Sequence, residues 1–279
     1  MSTDPTQIWS STEAAERWQR TAAQRQQAVG AATDAMFEAV GLETGYRVLD
    51  LAAGTGDTTM VAARRVGSMG SVLAVDISAA MLEEASRTAA REGLSNVQTL
   101  VSDIVTMDLP PESFDAAISR FGLMFLTDVV EGLRRIRRAL KPRARLAGLV
   151  WSTAERNPYI FLPLSLSERL RRTPSDGTTA RRAVALGGPG AFEDALNKAG
   201  LVEISVQPVG TPREFDSADA AVEAMRQNSP VLRELLAELD ASAQQDAESE
   251  LRQRLSEFVR ADGRCVVPGE ALLGVASNP

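Results

Sequence analysis

The stretch VLDLAAGTGDTT, residues 48–59, closes an apolar run on an acid and two nearby glycines, and then changes period. Val48, Leu49 and Leu51 read as a buried strand, and TTMVAARRV (58–66) as the helix that follows it. Between them, Gly54 and Gly56 can take backbone angles closed to other residues, and lacking side chains they let a ligand approach the main chain. The helix behind supplies N–H groups with no partner of their own. A Gly-x-Gly by itself is equally a plain tight turn, so its meaning rests on what surrounds it.

Downstream, SVLAVDIS (71–78) is a second apolar strand that ends on Asp76. In a doubly wound sheet an acid at the end of the second strand faces the first glycine turn, where it can accept hydrogen bonds from both hydroxyls of a ribose. LVSDI (100–104) ends a third strand on Asp103, placed either to accept from an adenine amino group or simply to cap a loop. Two ligands suit this layout, a nicotinamide dinucleotide and S-adenosylmethionine. The dinucleotide fingerprint G-x-G-x-x-G fails, because Thr59 stands at its third glycine. S-adenosylmethionine has no pyrophosphate and needs no glycine there.

The rest of the chain continues the alternation. A helix over 79–93, a strand over 97–103, a strand at FDAAISR (114–120), a helix over about 127–140 and a strand at RLAGLVW (145–151) follow in turn. Strand and helix alternating imply parallel strands joined by crossover helices, hence an α/β, doubly wound open sheet. Upstream, 12–40 carries apolar residues at helical spacing. After Trp151 the pattern breaks, with Pro158, Pro163, Pro174 and Gly187-Gly188-Pro189, and a helical stretch around 160–172. A helix at 190–199, strands at 201–207 and 211–216, helical sequence over 217–261 and a last strand over 264–277 complete the chain. The organisation expected is an N-terminal helical lid (1–43), a cofactor-binding core (44–151), a substrate-side insertion (152–189) and a C-terminal part of the core (190–279) with a helical insertion at 217–261.

Composition narrows the chemistry. The net charge is −7, which disfavours nucleic acid as a partner because phosphate binding needs clustered Lys and Arg. The run Arg134–Arg138 alternates with apolar residues and reads as a solvated helix face. Histidine is absent, which excludes Ser-His-Asp and Cys-His catalysis and histidine metal sites; no metal is expected. A single cysteine, Cys265, rules out an internal disulfide and suits a reducing cytoplasm. No apolar run reaches the ~20 residues needed to span a bilayer, and the polar start has no signal-peptide core. Oligomeric state is not written in the sequence, and a homodimer stays open.

DLAAGTGDTT resembles motif I of the class I S-adenosylmethionine-dependent methyltransferases. VLAVDIS resembles their motif II, SDI their motif III, and SFDAAISRFGLMFL with the helix and Lys-Pro after it their motif IV region. The likeness is greatest to the branch that includes ubiquinone and menaquinone biosynthesis and natural-product enzymes. It implies a seven-stranded, mostly parallel Rossmann-like sheet with a reversed last hairpin and helical lid insertions. It also implies methyl transfer to a small molecule, with S-adenosylhomocysteine as product. By position, Asp50, Ala52, Gly54, Thr55 and Gly56 form the turn, with the glycines along the methionine portion. Asp76 holds the ribose, Ile77 and Met81 sandwich the adenine, Asp103 and Ile104 bind its edge, and Ser119 or Arg120 closes the pocket near the sulfonium. One departure stands out: the family pattern D-x-G-x-G-x-G has glycine where this chain has Ala52, which is acceptable if the backbone angle there is ordinary.

Methyl transfer from a sulfonium is an in-line displacement with a good neutral leaving group, so orientation can supply much of the catalysis. A base is needed only where the nucleophile must lose a proton. Tyr159 and Arg120 are the catalytic candidates. The acceptor wall is expected from Trp9 and Trp18, from Phe121, Leu123, Met124 and Phe125, and from Trp151, Tyr159, Phe161 and Leu162. Their low polarity points to an apolar or aromatic acceptor. A cyclase or a non-catalytic module on the same cofactor-binding fold is the competing reading.

Overall fold

The computed structural model describes residues 11–171 and 182–279. Trp9 and Pro174 lie outside the described residues.

Seven strands form one sheet: β1 (Arg47–Leu51), β2 (Ser71–Asp76), β3 (Val97–Val101), β4 (Phe114–Arg120), β5 (Leu140–Trp151), β6 (Val202–Gly210) and β9 (Glu270–Ser277). Their order is β3-β2-β1-β4-β5-β9-β6. The first five run parallel, and β9 lies antiparallel to both β5 and β6. This is the doubly wound sheet with a reversed last hairpin expected from the sequence. Helices cover both faces. On one face, α2 (Ala22–Val40) and α3 (Asp57–Val66) seal Met36, Phe37, Ala62 and Val66 against Val48, Ile118 and Leu149. On the other, α5 (Val129–Ala139) and α7 (Ala191–Lys198) seal Leu133, Ile136, Phe192 and Leu196 against Leu49, Leu51 and Leu146. Strands buried on both faces read as near-continuous apolar runs, which is how β1, β2 and β4 announce themselves.

The helix starts are chemically marked. Ser78 accepts from the Met81 amide to cap α4 (Ala79–Arg91), and Asp128 accepts from Glu131 to cap α5. The region 217–261, expected as helical, is three helices: α8 (Ala218–Asn228), α9 (Pro230–Glu238) and α10 (Ala241–Ser256). Ser229 with Pro230 starts the second, and Asp240 caps the third. With α6 (Pro158–Arg171) and a two-stranded ribbon of β7 (Arg213–Phe215) and β8 (Cys265–Val267), they enclose a separate core of Met225, Leu232, Leu235, Leu251, Leu255 and Cys265.

Two expectations from periodicity are corrected. Residues 12–40 are not one helix: α1 (Thr12–Arg20) stops at Thr21, whose hydroxyl donates to the Trp18 carbonyl at 3.0 Å while Arg25 donates to the same oxygen. The side chains take the carbonyl that the helix would have used. The final strand over 264–277 divides at Pro268 and Gly269. A Cβ on Gly269 would stand 2.3 Å from the Thr211 carbonyl oxygen, so the chain passes there only as glycine, and β8 leaves the main sheet. No helix among the described residues is long and apolar enough to cross a membrane.

Candidate functional site

The central strand β1 has β2 on one side and β4 on the other, and the chain order reverses there. The crevice above that reversal, at the carboxyl ends of the strands, is where open α/β sheets bind ligands. The turn of residues 52–56 sits at its mouth. Gly54 and Gly56 have φ of 56° and 85°. Gly56 is also tightly packed, since a Cβ on it would lie 2.9 Å from the Met60 methyl and 3.0 Å from the Ala85 methyl. It brings α3 close to α4, the packing role that a third glycine takes in dinucleotide turns. Ala52 is the correction: its φ is 54°, in the left-handed region and not the ordinary one. Its methyl fits because Gly122 faces it; a Cβ on Gly122 would stand 2.3 Å from the Ala52 Cβ. The side chain missing from one glycine makes room for the methyl at the other site.

Asp76 meets the turn directly. Its Oδ2 accepts from the Gly54 amide at 2.9 Å, and its Oδ1 accepts from Ser78 at 2.9 Å. Burial pushes its pKa up, and the amides of Ser78, Gly54 and Ile77 oppose that by favouring the anion. Three amides leave part of the carboxylate's acceptor capacity unused. Ile77 beside it is 48% exposed. Met81, expected to share the adenine with it, is buried in the first turn of α4, so the two do not present a common open face. Asp103 uses Oδ1 to accept from Val105 at 2.9 Å and thus caps its own loop; Ile104 is buried behind it. Asp50 is fully buried. Its Oδ2 accepts from Thr58 at 2.8 Å and Thr59 at 2.6 Å, tying β1 to the start of α3. Burial raises its pKa to about 6, against the two hydroxyls.

An ionic clamp missed in the sequence closes this side. Asp57 Oδ2 accepts from Arg25 Nη2 at 2.9 Å and from Arg120 Nη2 at 2.8 Å. Burial alone would raise the Asp57 carboxyl, but the two guanidiniums overcome it and hold the pKa down. Arg25 also lies over the Trp18 ring, 3.9 Å from its centroid. The Trp18 indole Nε1 is 3.7 Å from where a Cβ on Gly54 would stand, so α1 roofs the glycine turn. Asp57, next to Gly56, was open to reading in the motif. Arg25 had no local signal, because its meaning comes from a partner 32 positions away.

The acceptor side is divided. Ser119, fully buried, donates to the Leu51 carbonyl at 2.9 Å and locks β4 to β1. Phe121, at φ 59°, stacks on Trp151 with ring centroids 3.9 Å apart. Phe125 is half-buried beside them, whereas Leu123 and Met124 are core residues with 0% and 1% exposure, which corrects their placement on the acceptor wall. Phe161 is buried within α6. Tyr159 stacks on Phe215 at 5.3 Å and bonds Asn228. Burial pushes its pKa up, so it stays a neutral phenol.

The polar atoms left over fit a nucleoside with an amino-acid tail. The Thr55 hydroxyl, the Arg25 Nε and Asp50 Oδ1 are buried with no hydrogen-bond partner among the described residues. Around Asp57 two guanidiniums face one carboxylate, a net positive charge beside a turn roofed by Trp18. A family model described as a methyltransferase domain matches residues 48–143. Aklanonic acid methyltransferase DauC of Streptomyces sp. (strain C5) is 39% identical over 104 residues, 37% of this chain and 47% of that protein. The ubiquinone/menaquinone biosynthesis C-methyltransferase UbiE of Cellvibrio japonicus (strain Ueda107) is 40% identical over 117 residues, 42% of this chain and 47% of that protein. The chain thus spans about half the length of the curated relatives it matches. The YcgJ protein of Bacillus subtilis shares the fold, with a TM-score of 0.62 and 17% identity over 89% of this chain and 98% of that one.

Two substitutions probe the packing of the glycine turn. Gly122→Ala is expected to cost about 2 kcal/mol by overpacking against Ala52, and less than half of that in an Ala52→Gly background. Urea unfolding of the four proteins of that cycle measures the coupling; additive costs would disprove it. Asp50 adds a pH signature. Its folded pKa of about 6 exceeds the unfolded 3.8, so the fold holds a proton that the unfolded chain has released between those values. Stability is lost as pH rises through that window. Relative to Asp50→Asn, the wild type should lose on the order of 3 kcal/mol between pH 4 and pH 8. A stability difference that stays flat across that range would mean that the carboxylate is ionised at no cost.

Proposed function

We propose that the chain transfers a methyl group from S-adenosylmethionine to a small, apolar or aromatic molecule, releasing S-adenosylhomocysteine. The observation that carries this reading is the Asp76 carboxylate bonded to the Gly54 amide, with acceptor capacity to spare, at the switch point of a segment that matches a methyltransferase domain. When bound, the cofactor supplies a methyl group on a sulfonium, whose departure as a thioether needs no acid. In this reading Asp76 accepts from the ribose hydroxyls and exposed Ile77 covers the adenine. Thr55, Arg25 and Arg120 hold the amino-acid end, whose carboxylate balances the surplus cation around Asp57. Trp18 and α1 exclude water from the turn.

Residues 44–151 are then the cofactor core, with 1–43 as lid and 152–189 and 217–261 around the acceptor. Phe121, Phe125 and Trp151 line its aromatic wall. Without histidine, rate comes mainly from holding the nucleophile in line with the methyl group, to which effective molarities up to ~10⁵–10⁸ M can contribute. The relatives named for aklanonic acid and for ubiquinone and menaquinone biosynthesis support a natural-product or quinone type of acceptor. The net charge of −7 supports a small acceptor over nucleic acid.

Asp76→Ala is expected to weaken S-adenosylhomocysteine binding at least tenfold in calorimetry while the circular dichroism of the fold is retained. Unchanged affinity would remove Asp76 from the site, and a wild type that ignores the nucleoside would end the reading.

A further inference from the structure

The cap built from α6, α8, α9, α10 and the β7–β8 ribbon holds a cation without a counter-charge. Arg213 and Phe215 alternate on β7 and point to the same side, while Glu214 points to the other. Phe215 stacks on Tyr159, and the Arg213 Cζ lies 4.6 Å over that same ring. Glu214, the carboxylate nearest in sequence, is turned away and pairs with Arg264 at 2.9 Å. Among the described residues no carboxylate pairs with Arg213 and no hydrogen bond takes up its fork; the face of a neutral phenol is its one electrostatic partner. Burial lowers its pKa, and Tyr159 opposes that in part. A half-buried guanidinium normally has an anion, because its five donors lose water on burial.

Its location gives the vacancy in that pairing a meaning. β6 runs antiparallel to β9 and ends at Gly210, level with Glu270, while Trp151 ends β5 level with Ala271. Arg213 therefore leaves the sheet at the edge where Trp151 and Phe121 stack and where the glycine turn opens.

We propose that Arg213 is the specificity residue for a carboxylate carried by the methyl acceptor, held bidentately by the guanidinium above the Tyr159–Phe215 pair. Planar fork-to-carboxylate pairing is what arginine does better than lysine, and the Tyr159 face against it holds the fork's plane. The proposal deepens the methyltransferase reading and rests on it, but the nucleoside test with Asp76 decides that reading separately.

The test is calorimetry on the full chain saturated with S-adenosylhomocysteine, using a panel of hydroxybenzoates and hydroxynaphthoates, each against its own primary amide. Wild type is expected to bind at least one acid tenfold or more tighter than its amide. Arg213→Met should abolish that preference while leaving amide and S-adenosylhomocysteine affinities within twofold. Arg213→Lys, which keeps charge and stem without the fork, should retain only part of it. Acids bound no better than amides by the wild type, or not bound at all, would overturn the proposal, and so would an undiminished acid preference in Arg213→Met. Should Arg213→Met fail to fold, the wild-type comparison and the lysine variant decide alone, with an undiminished preference in the lysine variant overturning the bidentate role.

Discussion

The hydrogen bond from the Gly54 amide to Asp76 is the constraint around which this molecule is arranged. It spans 22 positions and joins the ends of adjacent parallel strands, at 2.9 Å. It exists only if β1 and β2 end level with each other, as the register Leu51 opposite Val75 provides. It requires the chain after Leu51 to turn through left-handed angles so that an amide points sideways out of the strand. The Ser78 amide must then hold the other carboxylate oxygen, which also sets the start of α4. A carboxylate so buried would be costly if it stood alone, and the backbone donors make it tolerable as an anion. What remains is a pre-oriented pair of acceptors at the crevice, formed before any ligand arrives.

A second constraint is charge. Asp57 holds two arginines from α2 and β4, and through Arg25 it fixes the break between α1 and α2 and the position of Trp18. Removing one partner from such a cluster characteristically costs about 3–5 kcal/mol, because the remaining charges face each other unpaired. The N-terminal helices are thus coupled to the first residue of α3.

The alternation of strand and helix and the facing of Asp76 to the glycine turn were legible because each is a local pattern: an apolar run, a turn and an acid at the end of a strand. Side chains that depend on a distant partner were not. The left-handed angle at Ala52 could be inferred only by knowing that Gly122 stands opposite, 70 residues on. Met124 and Phe125 look alike in the sequence, yet a single 3₁₀ turn sends the first into the core and leaves the second at its rim. The helix over 12–40 has uninterrupted helical periodicity, and its break comes from Arg25 reaching back to the Trp18 carbonyl. Periodicity reports which face is apolar; it says nothing of an arginine competing for a carbonyl.

The division of cores explains why the acceptor is harder to read than the cofactor. Val222, Leu235, Leu251 and Val267 pack among themselves in the cap, apart from the two clusters that seal the sheet. The family match ends at residue 143, before α6 begins at Pro158. A unit with its own core can change its residues without disturbing the register of β1 and β2, so the proposed nucleoside and acceptor sites are under separate physical control. The likeness to methyltransferases therefore carries weight for Asp76 and little for Arg213 or Tyr159. What the acceptor is must be argued from the cap itself, and its unmatched guanidinium, set over the Tyr159 ring at the open edge of the sheet, is the most specific chemistry the cap displays.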